Sequence, residues 1–184
     1  MERINPHSRS DAYGSRINRS HSPILANVVP WISIVLASLL PMFFIASAMP
    51  LVPPAGFLML LAWRLVRPGL LPVWAGFPLG MIDDLFSGQP FGSAVLLWSA
   101  ALLIIAALDV RMPWRTFMQD WFTAGIAVTL YCLVGLVFSG ASPSLAAVVA
   151  LGPQIVLSIL LFPLAARIVS ALDRLRLTRW RSVD

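Results

Sequence analysis

The sequence predicts an all-α, polytopic membrane protein, a bundle of six transmembrane helices with both termini in the cytoplasm. Of its 184 residues, 59% are hydrophobic and 11% are charged, whereas a soluble domain is about half apolar and about a quarter charged. All 13 basic residues are arginine, and they fall in four blocks that flank apolar runs. These observations predict helices that cross a membrane and arginines that set their direction.

The N-terminal part of the chain contains a polar tail and two apolar runs. Residues 1–22 are rich in Ser, Asn and Arg and have no apolar period, so they are expected to form a disordered cytoplasmic tail. The first helix is predicted at 27–49, which is long enough to span about 30 Å. The second, at 53–66, is too short to span upright unless Arg64 reaches the membrane interface with its long side chain.

The third run, 69–86, contains Pro72 and Pro78, so a kinked or broken helix is expected there, with neighbouring helices satisfying the freed backbone groups. The last three helices are predicted at 91–108, 121–138 and 145–166, the final one continuing as an arginine-bearing amphipathic end to residue 177. The transmembrane domain is therefore expected at 23–177, followed by a short cytoplasmic tail at 178–184.

Arginine alone predicts the orientation. The loops around Pro50, Gln89 and Ser142 contain no basic residue, so they are expected outside. The blocks lack the interleaved aromatic residues of a nucleic-acid platform, and nucleic acid is not expected as a partner. The last block either contacts anionic membrane lipid or serves only as a topology signal. The four blocks are Arg3, Arg9, Arg16 and Arg19; Arg64 and Arg67; Arg111 and Arg115; and Arg167, Arg174, Arg176, Arg179 and Arg181.

Asp83 and Asp84 are the only acids expected on the outer half of the membrane. Asp84 shares a four-residue spacing with three glycines, Gly80, Gly88 and Gly92, and on a helix this spacing stacks the first three positions on one face. The glycines would allow close helix packing, and the Asp84 carboxylate would bond a neighbouring helix end or a partner protein. Asp83 can be interpreted as a solvated helix end.

Enzymatic chemistry is not predicted, and no catalytic, cofactor-binding or metal-binding residue is assigned. Adjacent residues on a helix point about 100° apart, so Asp83 and Asp84 cannot face each other as an aspartyl-protease pair. Both histidines, His7 and His21, lie in the polar tail, which leaves no membrane histidine for hydrolysis or metal binding. Gln154, near mid-membrane, is expected either to hold helices together or to bind a solute.

One stretch, LLAWRLVRPGLLPVWAGFPLGMIDDLFSGQPFG, resembles the bacterial rod shape-determining protein MreD family. The resemblance rests on a tryptophan and an Arg-Pro pair that close the second helix and on the glycine and aspartate positions described above. It implies that these residues form a partner-binding or structural motif: Trp63, Arg67, Pro68, Gly80, Asp84, Gly88 and Gly92.

The resemblance implies a multi-pass scaffold in the bacterial inner membrane that regulates cell shape and lateral peptidoglycan synthesis. Such a protein would bind MreC directly and, with it, connect MreB filaments to a RodA-type polymerase and its transpeptidase in the elongasome. The family is similar in architecture to the substrate-binding components of energy-coupling-factor transporters. The alternative is therefore a solute-binding membrane subunit of a vitamin-type transporter, with a pocket lined by Asp83, Asp84, Gln89, Ser93 and Gln154.

Overall fold

The computed structural model describes residues 23–43, 52–88, 90–112, 115–140 and 144–176, and these ranges contain α-helices and no strand. The all-α prediction is therefore confirmed, while both predicted tails lie outside the described residues. The helices are α1 (Pro23–Phe43), α2 (Ala55–Val66), α3 (Gly76–Ser87), α4 (Ser93–Arg111), α5 (Phe117–Phe138) and α6 (Leu145–Arg176), with a 3₁₀ turn at Val73–Ala75 before α3.

Three of these helices, α4, α5 and α6, are long and apolar enough to cross a membrane. Shorter apolar stretches lie at Asn27–Met42 and in α2. The predicted first helix extended to residue 49, and its part beyond residue 43 lies outside the described ranges. The length and apolar composition of these helices are those of a membrane protein. The count of six spans remains a prediction.

The short helix α2 is the centre of the bundle. Apart from Arg64 it is apolar on all sides, as expected for a helix that is surrounded by protein, and every residue from Gly56 to Leu65 except Met59 is buried. It contacts α1, α4, α5 and α6. Its Phe57 ring stacks on Tyr131 of α5 with 4.5 Å between ring centroids and lies 6.0 Å from Trp98 of α4.

The third apolar run is broken, as its prolines predicted. Pro72 directly precedes the 3₁₀ turn, and the regular helix begins only at Gly76. Pro78 is the third residue of α3, where a backbone N–H would have no acceptor within the helix. The proline therefore costs α3 no hydrogen bond, and α3 is a helix of 12 residues.

The last helix, α6, continues through Pro153 and Pro163 for 32 residues. Pro163 has no N–H to give to the carbonyl of Ile159, four residues earlier. The indole Nε1 of Trp121 in α5 donates to that carbonyl instead, at 2.9 Å. Gln154 Nε2 donates to the carbonyl of Val52 at 2.8 Å, so this amide holds two segments of the chain together.

The bundle has two chemically different ends. We call the end at which α2 and α6 finish and α5 begins the arginine end, because Arg64, Arg67, Arg115 and Arg176 form ion pairs there. We call the opposite end, where α3 finishes and α4 begins, the Asp84 end. At the Asp84 end the described residues include no basic side chain.

Candidate functional site

The Asp84 carboxylate, only 5% exposed, binds the N-terminus of α4. The backbone N–H of Gly92 donates to Oδ2 at 2.8 Å, that of Ala94 to Oδ1 at 2.8 Å and that of Val95 to Oδ2 at 3.3 Å; the Ser93 hydroxyl donates to Oδ1 at 3.2 Å. The first N–H groups of a helix have no acceptor within it. Asp84 therefore caps α4 from a neighbouring helix and places its negative charge at the positive end of the helix dipole.

Two glycines of α3 bring this carboxylate close enough to act as a cap. A Cβ added to Gly80 would lie 2.7 Å from Val95 Cα and 2.8 Å from the carbonyl of Ala94. One turn earlier, a Cβ added to Gly76 would lie 2.8 Å from Ser99 Cα. The backbones of α3 and α4 thus touch, as small residues permit in membrane helices.

The other two glycines of the motif form the turn between α3 and α4. Gly88 has a φ of 69° and Gly92 a φ of 98°, values in the left-handed region that side-chain-bearing residues rarely adopt. Gly88 ends α3 in the way that glycine commonly ends helices. The sequence interpretation that Gly80, Asp84 and Gly88 share one helix face is therefore wrong for Gly88, which belongs to the turn.

Asp83, the neighbour of Asp84, points in a different direction and is also buried, with 7% exposed. The interpretation of Asp83 as a solvated helix end is therefore wrong. A Cβ added to Gly56 of α2 would lie 3.0 Å from Asp83 Oδ1 and 2.1 Å from the Ser38 hydroxyl of α1. Asp83 thus faces α1 and α2, and none of the ion pairs of the described residues includes it.

The tryptophan of the motif lies in the core near the arginine end. Trp63 is fully buried, and its Nε1 donates to the hydroxyl of Ser33 in α1 at 2.8 Å. The guanidinium of Arg176 lies over its ring, 5.8 Å from the centroid, which is within the range of a cation–π interaction. Trp63 therefore links α1, α2 and the end of α6.

Arg67 and Pro68 follow α2 at the same end. Arg67 Nε donates to Asp173 Oδ2 of α6 at 2.7 Å, and Arg176 Nε donates to Asp173 Oδ1 at 2.6 Å. Pro68 is exposed in the turn after α2. The two halves of the motif are not brought together: Trp63 lies seven residues, or about 10 Å of helix, beyond the part of α2 that meets Asp83.

A model of the family described as rod shape-determining protein MreD matches residues 20–172. The chain belongs to the MreD family. Both halves of the motif lie inside the matched range, and membership implies a role in determining rod shape. No match to the chain was found among curated proteins or among solved structures.

In this MreD-family chain, sequence reasoning missed a second polar cluster at the arginine end. Arg64 Nη2 donates to Asp109 Oδ2 at 2.7 Å and Arg115 Nη1 to Asp109 Oδ1 at 2.8 Å. Arg115 Nε also lies 3.1 Å from Asp120 Oδ1, and Arg115 Nη2 donates to the hydroxyl of Thr123 at 3.1 Å. The sequence allowed the second helix to span upright only if Arg64 reached the membrane interface; in the structure Arg64 is buried and paired with Asp109.

The signal that could have found this cluster is the placement of acids. Asp109, Asp120 and Asp173 all lie at helix ends beside arginine blocks, where water already favours charge, and each forms an ion pair. Within the described ranges, no group of three or more His, Cys, Asp or Glu is arranged to hold a metal ion. The ion pairs of these aspartates join segments of the chain, some of them distant in sequence.

Proposed function

We propose that the chain is a multi-pass scaffold of the bacterial inner membrane that binds MreC and, with it, links MreB filaments to a RodA-type polymerase and its transpeptidase. The observation that carries this proposal is the match to the MreD family over residues 20–172. In this proposal the arginine end lies in the cytoplasm and the Asp84 end faces outward.

The internal bonding of the polar side chains favours a scaffold over the solute-binding alternative. Three of the residues expected to line a solute pocket are engaged within the chain: Asp84 and Ser93 bond each other, and Gln154 bonds the Val52 carbonyl. A solute site of this kind requires polar groups that converge on a cavity. Here they bond to other parts of the bundle.

A groove between α4 and α5 is our candidate for the surface that binds the partner. It has a volume of about 290 Å³, and Phe57 and Tyr131 form part of its lining together with Ala100 of α4. The side chains of Ile104 and Ile126 at the groove are more than half exposed. Because small residues let membrane helices approach closely, we assign this groove to the single membrane helix of MreC.

The test is copurification of MreC with the full chain in mild detergent. Ala100→Trp fills the groove and is expected to lower MreC recovery about tenfold, the effect of about 1.4 kcal/mol. Leu103→Trp is the matched control, because Leu103 is 60% exposed on α4 and is not part of the groove lining. Failure of the wild-type chain to recover MreC would overturn the scaffold proposal; equal recovery with both variants would overturn only the groove.

The orientation has its own test. Reporter fusions at residues 1 and 184 are both expected to give a cytoplasmic signal, since the arginine blocks keep both ends inside. A fusion at Gln89 is expected to report the opposite side. A periplasmic signal from either terminus would exclude the six-span arrangement without excluding membership of the family.

A further inference from the structure

We propose that a cleft at the arginine end binds the phosphate group of an anionic membrane phospholipid, with Arg167 as its main contact. The cleft has a volume of about 760 Å³ and lies between the end of α2, the segment that joins α4 to α5, and α6. This volume is within the range of about 300 to 1,000 Å³ that is usual for small-molecule sites. Its lining includes Leu65, Arg115, Pro163 and Arg167.

The charges around the cleft leave one cation available. Asp109 and Asp120 line it, but Asp109 is paired with Arg64 and Arg115, and Asp120 is paired with Arg115. Two arginines thus neutralise two aspartates. Arg167 is exposed, and within the described residues it forms neither an ion pair nor a hydrogen bond. An anion at Arg167 would therefore not have to displace an internal partner.

The remaining walls favour an amphiphile over a free anion. Val66, Met112, Phe117, Pro163 and Ala166 give the cleft an apolar lining beside Arg167. A single exposed arginine binds a soluble anion weakly, because water and salt screen the charge. A lipid adds burial of its glycerol and acyl carbons against the apolar wall.

The position of the cleft also suits a lipid headgroup. The cleft lies where α2 ends and α5 begins, the level at which apolar helix segments give way to charged residues. In the proposed orientation this is the cytoplasmic surface, where anionic lipids attract basic side chains with about 1 kcal/mol each. Arg167 can reach phosphate there while its carbon stem stays against the helix.

Binding can be measured by titrating the purified full chain in detergent with dioctanoyl phosphatidylglycerol. Dioctanoyl phosphatidylcholine, with the same chains and no net charge, and inorganic phosphate are the comparison ligands. Wild type is expected to bind phosphatidylglycerol at least about fivefold more tightly than either. Arg167→Gln is expected to remove about fivefold in affinity, the effect of one arginine at a membrane surface.

Arg174→Gln is the matched control, because Arg174 is another exposed arginine of α6 that does not line the cleft. Equal losses of phosphatidylglycerol affinity with Arg167→Gln and Arg174→Gln would show that general surface charge causes the binding, and would overturn the proposed site. Equal binding of phosphatidylcholine would assign the affinity to the acyl chains alone, and equal binding of phosphate would assign it to a soluble anion. Either result would overturn the proposal.

A second variant tests the walls without changing the charge. Ser170 is half-buried in the cleft lining, with its hydroxyl donating to the Ala166 carbonyl at 2.8 Å. Ser170→Leu is expected to narrow the cleft and to weaken phosphatidylglycerol binding while Arg167 remains. Unchanged binding by a Ser170→Leu variant of normal melting temperature would contradict the assignment of the lipid to this cleft.

Discussion

The two ends of the bundle bind their carboxylates in different ways. At the Asp84 end, three backbone N–H groups and one hydroxyl from α4 bind a single carboxylate. At the arginine end, Asp109 and Asp173 each bind two arginines. In the proposed orientation arginine is disfavoured in the outer loops, and Asp84 binds a helix N-terminus where Asp109 and Asp173 bind arginines. Membrane topology therefore restricts which groups are available to bind a carboxylate at each end.

The two ends also differ in whether a partner remains after a single substitution. Asp109 keeps one guanidinium if either of its arginines is removed, and the same holds for Asp173. The cap on α4 has one carboxylate for all its donors, because the residue that precedes α4 is Gly92 and carries no side chain. Single substitutions are therefore expected to be more damaging at the Asp84 end than at the arginine end.

The largest effect is expected from Asp84→Ala. It leaves buried N–H groups of α4 without an acceptor, which should lower the free energy of unfolding by about 3 kcal/mol. The measurement is the melting temperature of the purified chain in detergent. Leu85→Ala is the control, because Leu85 is the next residue of α3 and is 65% exposed. A melting temperature of Asp84→Ala no lower than that of Leu85→Ala would contradict the capping role.

A smaller loss is expected from Gly80→Ala, which tests whether backbone contact positions the cap. The added methyl would lie 2.7 Å from Val95 Cα, and backbone cannot move aside as a flexible side chain can, so we expect a loss of about 2 kcal/mol. Gly125→Ala is the matched control, since the nearest atoms to its added Cβ would be side-chain atoms of Ile159 at 3.6 Å, an ordinary van der Waals contact. That variant should be neutral or stabilised by up to about 1 kcal/mol; a similar loss in both would exclude close packing as the cause.

Much of the architecture could be predicted from local patterns. Long apolar runs give helices, and Pro72 and Pro78 indicate the break before α3. Boundaries were less certain: α5 begins at Phe117, four residues before the predicted start at 121, because Thr116 and Gln119 form a capping box. The Thr-x-x-Gln pattern was visible in the sequence, and attention to the apolar run alone missed it.

The partners of the charged residues could not be predicted in the same way. The four-residue spacing singled out Asp84, but the spacing describes one helix and does not say that α4 supplies the donors. Arg64 and Asp109 are 45 residues apart, and no local pattern connects them. Their pairing depends on how α2 and α4 pack, which is decided by the whole core around Trp63 and Trp98.

At the arginine end, Arg64 and Arg67 offer a comparison between a buried and an exposed member of the same helix end. The Arg64 side chain is 7% exposed and that of Arg67 is 50% exposed. Arg64→Met is expected to cost about 1.5 kcal/mol, less than a fully broken buried pair because Asp109 retains Arg115. Arg67→Met should cost no more than about 0.5 kcal/mol, because half of the Arg67 side chain is exposed and Asp173 retains Arg176. The melting temperatures of the two variants distinguish these costs. A larger loss for Arg67→Met than for Arg64→Met would contradict the larger contribution assigned to the buried Arg64.

No loss of stability is expected from Asp83→Asn, which sharpens the contrast between two adjacent carboxylates of α3. Asparagine keeps the shape of the side chain beside Ser38 and Gly56 and removes a charge that no described arginine pairs with. Because an unpaired carboxylate is costly inside a membrane protein, stability should be unchanged or should rise by up to about 1 kcal/mol. A loss as large as that of Asp84→Ala, in melting temperature or in MreC recovery, would show that Asp83 needs its charge and has a partner at the Asp84 end.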